Sequence, residues 1–346
     1  MSFDIKKYAR PNILELEPYA SARQEYNGKA VVHLDANENP YDTEQGLNRY
    51  PDPLQTELKH KIATIKKIAP VQVFIGNGSD EVIDLALRIF CEPGKDKIIL
   101  CPPTYGMYAI SAAINNVAVI TVPLVKDFQP DVKAILGAVD ESTKIFILCS
   151  PNNPTGNPLP KSILLKLLNG FNGLLILDEA YIDYSEQETA LSLLESYPNL
   201  LVMQTLSKAW GLAGLRIGLA FASEAITGLF NKVKPPYNIS SLSQQMALQA
   251  LGQKEKMESQ AKEIIVQREM LARTLTGYSF VKKVFPSAAN FLLLVVTDAK
   301  ELYEYLATHG IVVRNRTKDI PQSIRISIGT MEENQYLIQT LNTYGR

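Results

Sequence analysis

Leu200-Leu201-Val202-Met203-Gln204-Thr205-Leu206-Ser207-Lys208-Ala209-Trp210-Gly211-Leu212-Ala213-Gly214-Leu215-Arg216 runs from an apolar segment into a glycine-bearing turn, with one lysine at the join. Leu200 to Leu206 reads as a buried strand. Gly211 and Gly214 let the backbone turn tightly or approach a ligand closely. Lys208 lacks the charged neighbours of a solvated helix face, so it is expected to end a strand inside a cleft. A buried lysine loses its charge readily and becomes a nucleophile for carbonyls, the requirement for a Schiff base. Ser207 and Arg216 add a hydroxyl and a permanent cation, both suited to a phosphate. Taken alone, these residues also fit a strand end whose lysine snorkels to water.

Working outward, strand and helix patterns alternate on the N-terminal side. An amphipathic helix is predicted over 54–67 and a strand over 71–75. The turn Gly76-Asn77-Gly78-Ser79-Asp80-Glu81 follows, with Ser79 as N-cap of the next helix. This turn would aim free backbone N–H groups at an anion. It has neither a dinucleotide-type glycine fingerprint nor a P-loop lysine, so NAD and ATP are disfavoured. Further elements are expected at 97–101, 104–116, 117–122, 132–139 and 144–149. Apolar strands alternating with amphipathic helices imply an α/β protein with a mainly parallel sheet covered on both faces. The loops that carry function in such a sheet cluster at the carboxyl ends of its strands.

At 346 residues the chain is long enough for two domains. The boundaries read as an N-terminal arm over 1–53, a large domain over 54–239, one long helical connector over 240–276 and a small α/β domain over 277–346. Strands at 291–296, 311–314 and 324–328 and helices at 299–308 and 332–344 are expected in the last. Thirty-five lysines and arginines against 36 acidic residues give a net charge of −1, which offers no global field for nucleic acid or an anionic membrane. The three cysteines lack any metal-ligand spacing, and no metal is expected. No stretch approaches the ~18 apolar residues of a membrane span, and the N-terminus has no apolar targeting core, so a cytoplasmic enzyme is expected.

Asp178 ends the apolar run Leu174 to Leu177, where a carboxylate is costly unless it meets a cation. With no histidine near it in sequence, a protonated pyridine nitrogen is a better partner than a metal. Asn153 and Tyr181 can donate to a phenolate oxygen, and Tyr105 can stack on an aromatic ring. Individually, Asn153 also reads as a turn former, Tyr181 as half-buried core and Tyr105 as a loop anchor. Jointly they describe a pyridoxal phosphate site: Lys208 for the aldehyde, Asp178 for the ring nitrogen, and Gly78, Ser79, Ser207 and Arg216 for the phosphate.

With those residues in place, the sequence resembles the fold type I, aspartate-aminotransferase-like pyridoxal phosphate enzymes, and within them the histidinol-phosphate aminotransferases. The resemblance runs in order through LDANENPY (34–41), LNRYPDP (47–53), GNGSDE (76–81), PPTYGMY (102–108), SPNNPTG (150–156), LDEAY (177–181), SKAWGLAGLRIG (207–218) and IRISIG (324–329). It departs at Tyr41-Asp42, where the family often has glycine. The resemblance implies a homodimer in which Tyr50 reaches the cofactor phosphate of the neighbouring subunit. It also adds Asp80 and Thr205 to the cofactor site. Arg325 is implied for the substrate α-carboxylate, Arg314 with Tyr19 for the phosphate of histidinol phosphate, and Asn37 for substrate contact. The implied reaction is amino transfer between L-histidinol phosphate and 2-oxoglutarate. The alternatives are transamination of aromatic amino acids, decarboxylation of threonine phosphate on the same fold, a cofactor-binding regulator without turnover, and a nucleotide-binding module at the Gly76 turn. The last two are disfavoured by the lack of a basic patch and of a phosphate-binding lysine.

Overall fold

The computed structural model describes residues 3–19, 31–42 and 46–344. The rest of the expected N-terminal arm, at 1–2, 20–30 and 43–45, lies outside the described residues, as do 345–346. Two short helices, α1 (Ile5–Tyr8) and α2 (Pro11–Glu15), are followed by α3 (Thr56–Lys66). The chain then alternates through β1 (Val73–Asn77), α4 (Gly78–Phe90), β2 (Lys97–Leu100), α5 (Met107–Ile114), β3 (Ala118–Thr121), α6 (Val132–Gly137), β4 (Thr143–Cys149), α7 (Lys161–Gly170), β5 (Leu174–Asp178), β6 (Leu200–Thr205), β7 (Ile217–Phe221) and α8 (Glu224–Val233).

Seven strands form one sheet in the order β1-β7-β6-β5-β4-β2-β3. Every pair is parallel except those of β7, which runs antiparallel to both β1 and β6. The two-residue period of the strands divides the core between the sheet's faces. Phe146, Leu148, Leu175, Leu177 and Val202 join one apolar cluster, while Ile145, Ile147, Leu174, Ile176, Leu201 and Met203 join another. Because both faces are buried, these strands are almost continuously apolar rather than alternating. Burial of each such side chain contributes roughly 1.5–3 kcal/mol, which fixes the strand ends where the polar loops begin.

The C-terminal part adds α9 (Ser241–Leu251), α10 (Lys254–Thr276), β8 (Val281–Val284), β9 (Phe291–Val296), α11 (Ala299–Thr308), β10 (Arg314–Asn315), β11 (Ser323–Ser327) and α12 (Met331–Leu341). Its four strands pair antiparallel in the order β10-β11-β9-β8 over a third apolar cluster.

Three local expectations are corrected. The stretch 240–276 is two helices, not one, because Gly252 closes α9 and Gln253 has non-helical torsions. The strand expected at 311–314 is confined to Arg314–Asn315, since Gly310 takes a φ of +75° and the Ile311 N–H is used by the Leu306 carbonyl. Ser79 is not an N-cap. Helix α4 begins at Gly78 with Asn77 before it, and no side chain caps its first turn.

Candidate cofactor and substrate cleft

The parallel strands β4 and β5 end side by side, with Cys149 opposite Asp178, and β6 ends at Thr205 on the far side of β5. Antiparallel β7 lies between β6 and β1, so Arg216, immediately before β7, is brought beside Gly78, immediately after β1. The Gly78 N–H donates to the Arg216 carbonyl at 2.8 Å. Opposite Gly76 in the ladder is Gly218. A Cβ on Gly218 would lie 2.3 Å from both the Gly78 carbonyl carbon and the Ser79 nitrogen. Only a glycine lets the first turn of α4 come down onto the sheet there.

Around this edge opens a cleft of about 460 Å³ lined by Ser79, Asp80, Tyr105, Asn153, Asp178, Tyr181, Thr205, Ser207, Lys208, Arg216, Arg314, Arg316 and Arg325. Twelve residues singled out in the sequence thus meet, Arg314 and Arg325 of the C-terminal sheet among them, with Arg316 beside them. Gly78 lies directly behind them, φ +75°, where a Cβ would come within 2.5 Å of Arg216 Nη2.

Asp178 is buried at the floor. Its Oδ1 accepts from the Ala180 N–H at 2.9 Å and its Oδ2 from the Tyr108 hydroxyl at 2.6 Å. Burial pushes its carboxyl up to about 6, against the Tyr108 hydrogen bond, which favours the charged form. Lys208 extends into the open cleft with its amine 5.5 Å from the centroid of the Tyr181 ring. The side chain is accessible from the mouth, yet the surrounding walls remove hydration. That desolvation, reinforced by the Arg325 charge and opposed by Asp178, lowers its pKa. The Ser207 N–H donates to Thr205 Oγ1 at 3.1 Å, which shapes the turn that delivers the lysine.

On the wall beside Lys208, Asn153 Nδ2 donates to the Tyr181 hydroxyl at 3.2 Å, and Asn153 Oδ1 accepts from Arg325 Nη1 at 2.5 Å. Tyr181 is itself held edge-on against Phe291. Arg325 lines the cleft, and its Nε is buried without a hydrogen-bond partner. Arg314 and Arg325 are paired across β10 and β11 and face the same opening. Arg316, beside them, pairs with Asp319 at 2.9 Å. On the opposite wall the Tyr105 hydroxyl donates to Asp80 Oδ1 at 3.4 Å, and burial pushes its ionisation up to about 12. Arg216 Nη2 lies 3.4 Å from Asp80 Oδ2 with both side chains half-exposed, a screened contact that leaves the guanidinium usable by an anion.

Tyr19, Asn37 and Tyr50 do not line this cleft. Tyr19 is 72% exposed, Asn37 sits at φ +54°, and Tyr50 stacks on Tyr237 with centroids 4.5 Å apart. Glu38 holds the Tyr50 segment, accepting from the Tyr50 N–H at 2.6 Å and from Arg49 Nη1 at 2.8 Å. Sequence reasoning missed Tyr108. The available signal was its place three residues after Tyr105, on one face of α5, opposite an acid that needs a donor. No group of metal-binding side chains occurs among the described residues.

The residues fit pyridoxal phosphate on their own chemistry. An uncapped helix start meets a guanidinium, and a desolvated amine and a buried carboxylate line one cleft with a hydrogen-bonded tyrosine and asparagine.

Residues 25–341 match the family described as aminotransferase class I and II. A histidinol-phosphate aminotransferase of Cytophaga hutchinsonii is 47% identical across 99% of this chain and 100% of its own length. One from Flavobacterium johnsoniae is 49% identical across 98% of both. The crystal structure of a histidinol-phosphate aminotransferase from Sinorhizobium meliloti, in complex with pyridoxal-5′-phosphate, superposes with a TM-score of 0.79 at 24% identity, covering 96% of this chain and 86% of that one.

Proposed function

Since the chain belongs to the aminotransferase class I and II family, we infer that it is a histidinol-phosphate aminotransferase. It exchanges an amino group reversibly between L-histidinol phosphate and 2-oxoglutarate, giving imidazole acetol phosphate and L-glutamate. Its fold is that of the fold type I enzymes, and its cofactor is pyridoxal 5′-phosphate. The observation that carries the reading is the convergence of Lys208, Asp178 and the arginines of β10 and β11 in one cleft of a chain whose relatives, matched end to end, carry that name.

When bound, the cofactor supplies an aldehyde for the amino group and an electron-withdrawing ring that acidifies the substrate Cα–H. In this assignment Lys208 holds the aldehyde, then, as a free amine of lowered pKa, moves a proton at Cα. Asp178 keeps a proton on the ring nitrogen. Asn153 and Tyr181 donate toward the phenolic oxygen, and Tyr105 covers the ring. Gly78, Ser79, Asp80, Thr205, Ser207 and Arg216 form the phosphate end, with Asp80 orienting Arg216 and Thr205 shaping the turn. Arg325 grips the α-carboxylate with its guanidinium, and Arg314 faces the substrate phosphate.

Homodimer formation belongs to the same reading. The described part of the arm carries Leu34 and Tyr41 at 90% and 80% exposure, and Tyr50 lies away from its own chain's cleft, as expected of a residue serving the neighbouring site. Tyr19 and Asn37 are assigned to substrate at that shared edge. A cytoplasmic location is supported by three buried, unpaired cysteines.

The test compares kcat/KM for histidinol phosphate and phenylalanine with 2-oxoglutarate as acceptor. Preference for histidinol phosphate is expected. Preference for phenylalanine, or release of CO2 without an acceptor, would overturn the substrate assignment. In parallel, Lys208→Ala should retain no covalently bound cofactor after denaturation, as read by mass; a retained adduct would remove Lys208 from its role.

A further inference from the structure

Tyr108 lies on α5 with no exposed surface, its ring edge-on to Tyr105 at 5.4 Å, and its hydroxyl reaches the floor of the cleft. There it donates to Asp178 Oδ2 at 2.6 Å, while the Ala180 N–H occupies Oδ1. We propose that Tyr108 is a positioning residue: its hydroxyl fixes the rotamer of Asp178 and favours the carboxylate over the carboxylic acid, so that Asp178 can keep a proton on the cofactor's ring nitrogen. This rests on the assignment of Asp178 to that nitrogen.

The direction of the bond follows from the surroundings. Burial and the Asp178 charge push the Tyr108 hydroxyl well above the ordinary tyrosine value, so it stays protonated and can only donate to an ionised Asp178. The titratable and charged groups facing Asp178 are Tyr108 on α5, Tyr105 before it, Asp80 on α4, Cys149 at the end of β4, Tyr181 after β5 and Lys208 after β6. Lys208 favours the carboxylate and Asp80 opposes it, so these two charges act in opposite directions. Among the influences favouring the charged form, the Tyr108 bond is the largest. A hydrogen bond to a charged acceptor in a dry site contributes more than its solvated counterpart. Phenylalanine keeps the ring and its contact with Tyr105, so Tyr108→Phe removes the hydroxyl alone.

The test reads the Asp178 carboxyl directly in cofactor-free protein, by carbon-13 NMR with labelled aspartate and Asp178→Asn for assignment. In Tyr108→Phe the titration midpoint should rise by about one pH unit, equivalent to a tenfold change in the ionisation constant. Replacing Tyr108 with a ring-fluorinated tyrosine, a stronger donor of the same shape, should move it down. In the holoenzyme, Tyr108→Phe should lower kcat at neutral pH roughly tenfold with KM for the amino donor within about twofold, and shift the acid limb of kcat to higher pH. Midpoints unchanged in both variants would overturn the proposal. If Tyr108→Phe fails to fold, an unchanged midpoint in the fluorinated protein overturns it alone. A slow Asp178→Asn beside a normal Tyr108→Phe sinks this proposal only; a fully active Asp178→Asn sinks the assignment of Asp178 itself.

Discussion

Burying Asp178 sets function against stability at one side chain. An unfolded aspartate titrates near ~4, whereas burial in the cofactor-free protein pushes this one up to about 6. The sign follows from proton counting. Between those values the folded state binds more protons than the unfolded state, so stability falls as pH rises through the window. Above about 6 the full cost, ~3 kcal/mol, is present; below pH 4 it vanishes. Asparagine has nearly the same shape and no charge. Asp178→Asn should therefore stabilise the cofactor-free protein by about 1–3 kcal/mol at pH 8, after allowing for a weaker bond from Tyr108. Urea unfolding at pH 8 and pH 4 checks this. A gain of equal size at both values would show that the carboxyl charge is not its source. On the role proposed for Asp178, the same substitution should slow the reaction, since a neutral amide cannot hold a proton on the ring nitrogen.

Among the elements, the contact between β7 and the start of α4 decides whether the end of the cleft proposed for the cofactor phosphate exists. Gly218 has no room for a methyl group, and the atoms it would strike are backbone, which cannot rotate away. Gly218→Ala should cost about 1–3 kcal/mol by overpacking and should weaken cofactor binding more than substrate binding, as read by equilibrium dialysis of cofactor and by KM. Gly228, inside α8, has nothing within 4 Å of its added Cβ. Gly228→Ala should raise stability by roughly 0.5–1 kcal/mol, because alanine favours helix and restricts the unfolded chain. Equal effects of the two substitutions would refute the close-approach account. This contact was only partly legible in the sequence. The glycine turn and the apolar strands announced themselves, but the placement of β7 between β1 and β6 arises from long-range pairing that no local pattern encodes. Ser79 was misread for a related reason: a serine before a helical stripe is a cap signal, yet Gly78 starts the helix early to bring its N–H to the Arg216 carbonyl. The edge strand β8, Val281-Lys282-Lys283-Val284, escaped notice because two consecutive exposed lysines break the two-residue alternation where its pairing with β9 shifts register. Tyr108 escaped because a tyrosine within an apolar helix looks like core until its partner is found across the sheet.

Across the whole molecule, α10 joins the two sheets. Met257 and Ala261, near its start, pack into a cluster of the seven-stranded sheet, whereas Leu271 and Leu275 pack under the four-stranded one. Arg268 lies between these positions, only 8% exposed. Its Nη1 donates to the Tyr184 carbonyl at 3.2 Å and to the Ala289 carbonyl at 3.0 Å. Tyr184 follows the turn that carries Tyr181, and Ala289 precedes β9, the neighbour of the strand bearing Arg325. One guanidinium thus ties together, from behind, the parts of the wall beside Lys208 contributed by the two sheets. Arg268→Met keeps much of the aliphatic stem and removes the donors, leaving two carbonyls short of a partner. The expected loss is roughly 2–4 kcal/mol of stability. Because Lys208, Asp178 and the start of α4 are held by the seven-stranded sheet, cofactor affinity should change little. The wall carrying Arg325 should loosen, so KM for the amino donor should rise several-fold, on the order of 1 kcal/mol of binding. Thermal unfolding, cofactor titration and steady-state kinetics on the same variant separate these effects. A drop in cofactor affinity that matches the rise in KM would show that Arg268 supports the cleft as a whole instead of linking the two sheets' contributions to one wall.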